Sequence, residues 1–323
     1  MLAKKLFSAA TLGAVLTAGT AFAETKWDMP TPYGDGVHHT QNVRQFADDL
    51  RDATNGELNI VVHSGASLIK HPEIHRAVRT GQVPIGEMFM GLLGNDNPIF
   101  KADNIPFLAS DFASAKKLWG ATRPHIEKAL QKDGLKLLYA VPWPPQGFYT
   151  KKPISSAADL EGLNMRAYSP TTSRLAVLLK ATPTTVQTPE IPQAFSTGII
   201  DAMVTSPSTG VSSQSWDYVS NYTDTQAWIP KNMVIVNNRA FRRLDKGLQE
   251  AVTQAAAAAE ARGWEMAQAE TAAKTATLAE NGIEVAEPSA RLKADLQAIG
   301  KTMSEEWAAE AGEAGQQILE AYR

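Results

Sequence analysis

The chain has 323 residues, with 31 lysines and arginines against 34 aspartates and glutamates, for a formal net charge of −3. A mildly acidic chain with scattered basic residues is a poor partner for nucleic acid or an anionic membrane surface. It contains no cysteine, which excludes disulfides and thiolate metal sites, and a chain of this size can build its core from burial alone.

The N-terminus, "MLAKKLFSAATLGAVLTAGTAFA", places Lys4 and Lys5 before a short apolar run that ends in Ala21-Phe22-Ala23. This is the pattern of a cleavable secretory signal. The run is too short and too rich in small residues for a membrane span. Export to the periplasm is expected, with the mature chain starting at Glu24. Cleavage removes two lysines and no acid, so the net charge becomes −5.

From there strands and helices alternate. Residues 26–30, 58–63 and 83–90 read as strands, with helices over 39–54 and from Pro72 to Gly81 between them. This βαβαβ pattern predicts a parallel sheet with right-handed crossovers. Residues 111–133 read as two short helices and 135–141 as a strand. "PWPPQG" (142–147) forbids regular structure and marks a crossing to a second lobe. A second alternation follows. "LNMRAY" is a strand, Ser169-Pro170 caps a helix, and "PTTVQ" is a strand. Thr188-Pro189 opens a helix ended by Gly198, and "IIDAMVTS" is a strand. Trp216 and Trp228 lie in a stretch without clear periodicity. "NMVIVNN" (232–238) is a last apolar strand returning to the first lobe. Residues 245–281 are helical without a break, long enough at ~1.5 Å per residue to brace two lobes, and a further helix covers 289–322.

The expected architecture is α/β with two lobes, parallel or mixed sheets, a cleft between the lobes and a long bracing helix. Lobe one is expected over 24–147 plus about 233–262, and lobe two over 148–232 plus about 263–323. Clefts of this kind are preferred small-molecule sites, and strand-like hinges let lobes close.

Parallel α/β sheets bind ligands beyond the carboxyl ends of their strands. That rule selects Arg166 and Tyr168, Gln187, and Ser206 in the second lobe, Glu87, Phe89 and His39 in the first, and Trp143 and Tyr149 at the crossing. Arg166 is the sharpest candidate. A buried guanidinium keeps its charge and needs an acid, either within the chain, with Glu161 the nearest choice, or on a ligand. Trp143 and Tyr149 stack on a ligand or plug the hinge. Glu87 suits a ligand hydroxyl or ammonium, or neutralises Arg166 in the empty site. His39 can donate to a ligand oxygen. "HPEIH" sets His71 and His75 four residues apart with Glu73 between them, a spacing that binds zinc on a helix. Pro72, however, puts His71 ahead of the helix proper. No G-x-S-x-G elbow, P-loop or dinucleotide glycine fingerprint occurs. A receptor is therefore the simplest reading. A periplasmic metal-dependent hydrolase or lyase using His71, His75 and Glu73 is the rival.

"DLEGLNMRAYSP" (159–170), "PEIPQAFSTGIIDAMVTSPST" (189–209) and the closing long helices, in this order behind a signal, resemble the DctP-like substrate-binding proteins of tripartite ATP-independent periplasmic (TRAP) transporters. The resemblance implies a non-enzymatic receptor, without a cofactor, that delivers an organic acid to a sodium-coupled membrane permease. It also implies that Arg166 binds the ligand carboxylate. Two departures from the family pattern matter. Thr205 or Ser206 stands where many members carry Asn, and Phe148 and Tyr149 stand where many carry a second Arg. One fewer cation and more aromatic surface favour a monocarboxylate with an apolar or aromatic body, bound by a monomer.

Overall fold

The computed structural model describes residues 24–322, so the signal segment expected over residues 1–23 lies outside the described residues. The first lobe runs β1 (Thr25–Pro30), α1 (His38–Ala53), β2 (Leu58–His63), α2 (Ile74–Thr80), β3 (Ile85–Phe89), α3 (Phe112–Lys132) and β4 (Leu135–Pro142). The chain then crosses into the second lobe through β5 (Gly147–Thr150), β6 (Asn164–Ala167), α4 (Pro170–Leu178), β7 (Thr182–Thr185), α5 (Ile191–Ser196), β8 (Ala202–Thr205), α6 (Pro207–Ser212) and β9 (Asn221–Thr223). It returns as β10 (Lys231–Asn237) and α7 (Asn238–Arg243), and closes with α8 (Lys246–Glu280), β11 (Glu284–Ala286) and α9 (Ala290–Tyr322).

In the first lobe β1 and β2 pair in parallel, as the alternation predicts. β3, expected to continue this parallel sheet, lies instead in a separate sheet of order β3-β10-β4, so the lobe has the mixed sheets the sequence allows. β10 inserts between β3 and β4 and runs antiparallel to both, with Met233 opposite Met88 and Ala140. Hydrophobic pattern carries no direction. The returning strand enters at the cleft and therefore runs the other way. The second lobe orders its strands β11-β9-β5-β8-β6-β7, with β6 parallel to both β7 and β8. β9 and β11 were not expected. Each is three residues long, and pairing rather than periodicity defines them.

Residues 112–132 form one helix rather than two, with Pro124 inside it. The Asp111 side chain accepts from Ser114 N at 2.8 Å at its start. Burial of Ala115, Leu118, Trp119, Ile126 and Leu130 along one face then outweighs the hydrogen bond lost at proline.

The two crossings lie side by side. Trp143 N donates to Pro230 O at 2.8 Å, Gln146 N to Trp228 O at 3.1 Å, and Ala227 N to Gln146 O at 3.0 Å. Two long helices add further links. α8 packs Val252, Ala255, Ala256 and Ala259 into the core of β1, β2 and α1, then carries Leu278 into a second-lobe core with Tyr149 and Tyr222. α9 packs Leu292, Leu296 and Met303 against Phe148 and Trp228 of the second lobe. Its later residues Trp307 and Ile318 join the first-lobe core, beyond Met303 in the chain. The helix bends at Gly312, whose φ of +58° is left-handed and suits glycine.

Gly263 sets how closely α8 approaches the sheet. A Cβ there would lie 2.4 Å from Val141 Cγ2 and 2.9 Å from Asn42 Nδ2. Gly120 is also helical, but it is exposed and has open space around its Cα. Gly→Ala in a helix ordinarily stabilises by about 0.5–1 kcal/mol. Gly120→Ala should show that gain in urea unfolding, whereas Gly263→Ala should destabilise by about 1–3 kcal/mol through overpacking. A stabilised Gly263→Ala protein would mean that α8 does not dock as tightly as described.

Candidate functional site

A cavity lies between the lobes, beyond the carboxyl ends of their strands. Tyr33, His71 and Phe89 line it from the first lobe, and Arg166, Tyr168, Gln187, Thr188, Thr205, Ser206 and Thr209 from the second. Trp143, Gln146 and Pro230 close it at the crossings. The cavity volume is about 40 Å³. That suits a small ligand.

Capping places the polar groups. Ser169 Oγ accepts from Thr172 N at 3.1 Å where β6 turns into α4. Ser206 Oγ accepts from Thr209 N at 3.1 Å where β8 turns into α6. Both turns carry proline at the first helical position, so strand ends and helix starts meet at the cavity.

Arg166 is 2 % exposed. Its Nε donates to Val186 O at 3.0 Å and its Nη2 to Thr188 Oγ1 at 3.4 Å, and its guanidinium carbon stands 5.1 Å from the centre of the Tyr168 ring. Nη1 is buried and has no protein partner. No carboxylate pairs with Arg166 among the described residues. Glu161 pairs instead with Lys180 on the surface at 3.2 Å, which removes the internal ion pair weighed from the sequence. Desolvation pulls Arg166 down to about 10, still charged at neutral pH.

Glu87 is buried but does not line the cavity. It accepts from Thr31 Oγ1, and from Asn232 Nδ2 at 3.0 Å. It therefore does not serve as the counter-charge of Arg166. Asn232 Oδ1 in turn accepts from Trp143 Nε1 at 2.9 Å and Tyr33 Oη at 3.4 Å. Glu87 thus anchors the aromatic wall from one layer behind. Burial pushes its carboxyl up to about 7.

His39 and Tyr149 also sit behind the cavity. His39 Nε2 faces Val141 O at 3.2 Å, and its ring packs 4.1 Å from Trp143. Tyr149 Oη donates to the carbonyl of Ser206 at 3.1 Å and props the start of α6. Trp228 is core, and Trp216 packs partly buried against the second-lobe core that contains Tyr149 and Tyr222. Trp143, Phe89, Tyr168, Gln187 and Ser206 line the cavity together with Arg166. Phe89 and Tyr168 meet edge-on at 5.4 Å across the lobes. Tyr168 Oη donates to Gln146 Oε1 at 3.0 Å.

Sequence reasoning did not single out Tyr33, His71 or Thr209 for this cavity. Tyr33 sits in the exit loop of β1, within the strand-end rule. Thr209 depends on α6, which has little hydrophobic period. His71 was visible only as half of a metal motif. That motif does not assemble. His71 Nε2 accepts from Phe89 N at 3.0 Å, His75 pairs with Asp133 at 3.4 Å, and Glu73 is exposed. Among the described residues no three metal-binding side chains converge.

An inter-lobe cavity with a buried cation, polar donors and aromatic walls suits the binding of a small anion. The family model for bacterial extracellular solute-binding protein family 7 (DctP) matches residues 34–311. The chain belongs to this family of TRAP solute-binding proteins, periplasmic receptors rather than enzymes. Among solved structures, DctP7 of Bordetella pertussis, a receptor binding pyroglutamic acid, is 54% identical over 93% of this chain and 99% of its own, with a TM-score of 0.92. DctP6 of Bordetella pertussis, also binding pyroglutamic acid, is 42% identical over the same shares, with a TM-score of 0.91. A marine metagenome TRAP protein specific for pyroglutamate is 37% identical, again over 93% and 99%, with a TM-score of 0.92.

The raised Glu87 carboxyl makes a stability prediction. The folded protein keeps this proton up to about pH 7, whereas an ordinary glutamate releases it near 4.5. Between those values the folded state binds the extra proton, so this group's contribution to stability falls as pH rises. Glu87→Gln has no proton to lose and can keep both hydrogen bonds. Relative to the wild type it should gain stability from pH 5 to pH 8, by up to about 3 kcal/mol. Urea unfolding of both proteins at the two pH values measures this, and parallel pH profiles would contradict it.

Proposed function

We propose that this protein is the periplasmic receptor for a compact cyclic monocarboxylate of the pyroglutamate type and delivers it to a sodium-coupled TRAP permease. The observation that carries the reading is Arg166, a buried guanidinium with Nη1 unpartnered at a cavity that no carboxylate lines. A ligand carboxylate would supply the missing charge and accept the fork of the guanidinium. Pyroglutamate adds a neutral lactam, which matches the amides and hydroxyls of Gln146, Gln187, Thr205 and Thr209. The walls of Tyr33, Phe89, Trp143 and Tyr168 suit its ring. Three relatives at 37–54% identity that bind pyroglutamate support the choice.

In this reading the signal is cleaved after Ala23 and the mature receptor is a monomer. Its lobes meet at residues 143–147 and 230–232 and close on the ligand without making or breaking a bond. Closure lets both lobes touch one small molecule, and differential affinity for the closed form drives the population shift.

Titration calorimetry with pyroglutamate tests the assignment. Arg166→Ala should weaken binding by about 2–5 kcal/mol, roughly 30-fold to several-thousand-fold. Arg166→Lys should also bind less tightly, because a point charge cannot reproduce the fork. Unchanged affinity in both variants, with both folded by circular dichroism, would rule out the role of Arg166. A clear preference of the wild type for a sugar acid would rule out the ligand.

A further inference from the structure

Resting on the receptor reading above, we propose that His71 sets the charge rule of the site. It is locked as a neutral imidazole, so the cavity holds one positive charge and takes monoanions without an ammonium group, rejecting dicarboxylates and free amino acids alike.

The lock is geometric. His71 Nε2 accepts the backbone N–H of Phe89 at 3.0 Å. The lone pair is therefore on Nε2, and the ring hydrogen of the neutral form is on Nδ1. Protonating Nε2 would set two N–H groups against each other and leave the buried Phe89 amide without an acceptor, a costly arrangement. The surroundings act in the same direction. His71 is 8 % exposed, the Tyr33 ring stands edge-on at 5.6 Å, and its polar neighbour Gln187 is uncharged. The nearest charge is cationic. Burial first, and the Arg166 charge second, push His71 down to about 3. No carboxylate acts on the ring to draw a proton in.

The rest of the lining completes the rule. Arg166 is the one side chain among the described lining residues that is charged at neutral pH, and none of them is an acid. Glu87 is held by Thr31 and Asn232 behind the wall. A dianion would bury one uncompensated negative charge, and a zwitterion one uncompensated ammonium. A lactam places an uncharged N–H where an amino acid carries its ammonium.

The test is calorimetry at neutral pH with pyroglutamate, cyclopentanecarboxylate, 2-oxoglutarate and proline. The two cyclic monoanions should bind, and 2-oxoglutarate and proline should bind at least about 100-fold more weakly than pyroglutamate. In wild type the ratio of 2-oxoglutarate to pyroglutamate affinity should stay flat from pH 8 to pH 6. An ordinary imidazole gains its proton over that range, while 2-oxoglutarate remains a dianion. His71→Lys, which adds a second cation, should move the ratio toward 2-oxoglutarate by about tenfold or more. If that variant does not fold, the wild-type pH series decides alone. Wild-type binding of 2-oxoglutarate or proline within about tenfold of pyroglutamate would overturn the charge rule. So would a ratio that climbs toward pH 6, or a folded His71→Lys protein with an unmoved ratio. Loss of pyroglutamate binding alone, with cyclopentanecarboxylate still bound and the dianion rejected, would remove the pyroglutamate assignment and support the charge rule. Binding of no anion at all would overturn both.

Discussion

The structure is organised around a charge that cannot be discarded. A guanidinium stays protonated at neutral pH even when burial pulls it down, and burying one without an acid beside it is among the most expensive arrangements a protein can hold. Arg166 stands in that position, tied on one side to Val186 O and Thr188 Oγ1 and open on the other. The neighbouring features follow from it. Neutral partners surround the cavity, Tyr168 offers its ring face to the cation, and the nearest buried acid is held in a different layer. Had Glu87 reached Arg166, the site would be self-satisfied and would have little affinity left for an anion from outside.

Holding such a site in shape needs a stiff frame. β10 supplies part of it. Asn232 in that strand joins Trp143 and Tyr33 to Glu87 through one side chain, so the first-lobe wall is fixed to the first-lobe sheet. At the strand's first residue, Lys231 meets Asp103 at 3.4 Å, both buried. An ion pair there adds little net stability, but removing either partner would leave the other charge unpaired in the interior beside the hinge. The long helices set the outer limits of motion, because α8 and α9 each place apolar side chains in the cores of both lobes. The two crossings, paired through Trp143, Gln146, Ala227, Trp228 and Pro230, are the other links between the lobes.

Much of this was legible in the sequence, and the parts that were not share a physical cause. Strand ends can be found from local pattern, so Arg166, Tyr168, Gln187, Ser206, Phe89 and Trp143 came to one cavity by topology alone. Depth cannot be found that way. Glu87 and Phe89 lie two residues apart on the same face of β3, yet one residue pair along the strand separates a lining side chain from one buried behind it. His39 and Tyr149 failed to reach the cavity for the same reason, each covered by a neighbour, Trp143 and the start of α6, that is distant in sequence. Strand direction was also hidden, because β10 has the same apolar run whichever way it points. His71 was misleading in the opposite way. Its spacing to His75 is a local property, whereas the hydrogen bond that decides its chemistry comes from Phe89, eighteen residues away.

These constraints bear on how a permease can distinguish a loaded receptor from an empty one. In an open cleft water solvates Arg166 and the wall aromatics are partly wet. Closing on an anion exchanges that hydration for a paired charge and buries ring surface on both lobes, so each half of the wall gains from the other. Closing on nothing would dehydrate the same cation with no counter-charge, and the penalty would fall on the closed form alone. A ligand shifts an equilibrium only by its differential affinity for the two states. On the proposed reading the receptor would enlarge that difference by making the empty closed state costly. On that reading the unpaired arginine contributes twice: it would attract the carboxylate, and it would keep the unliganded lobes apart.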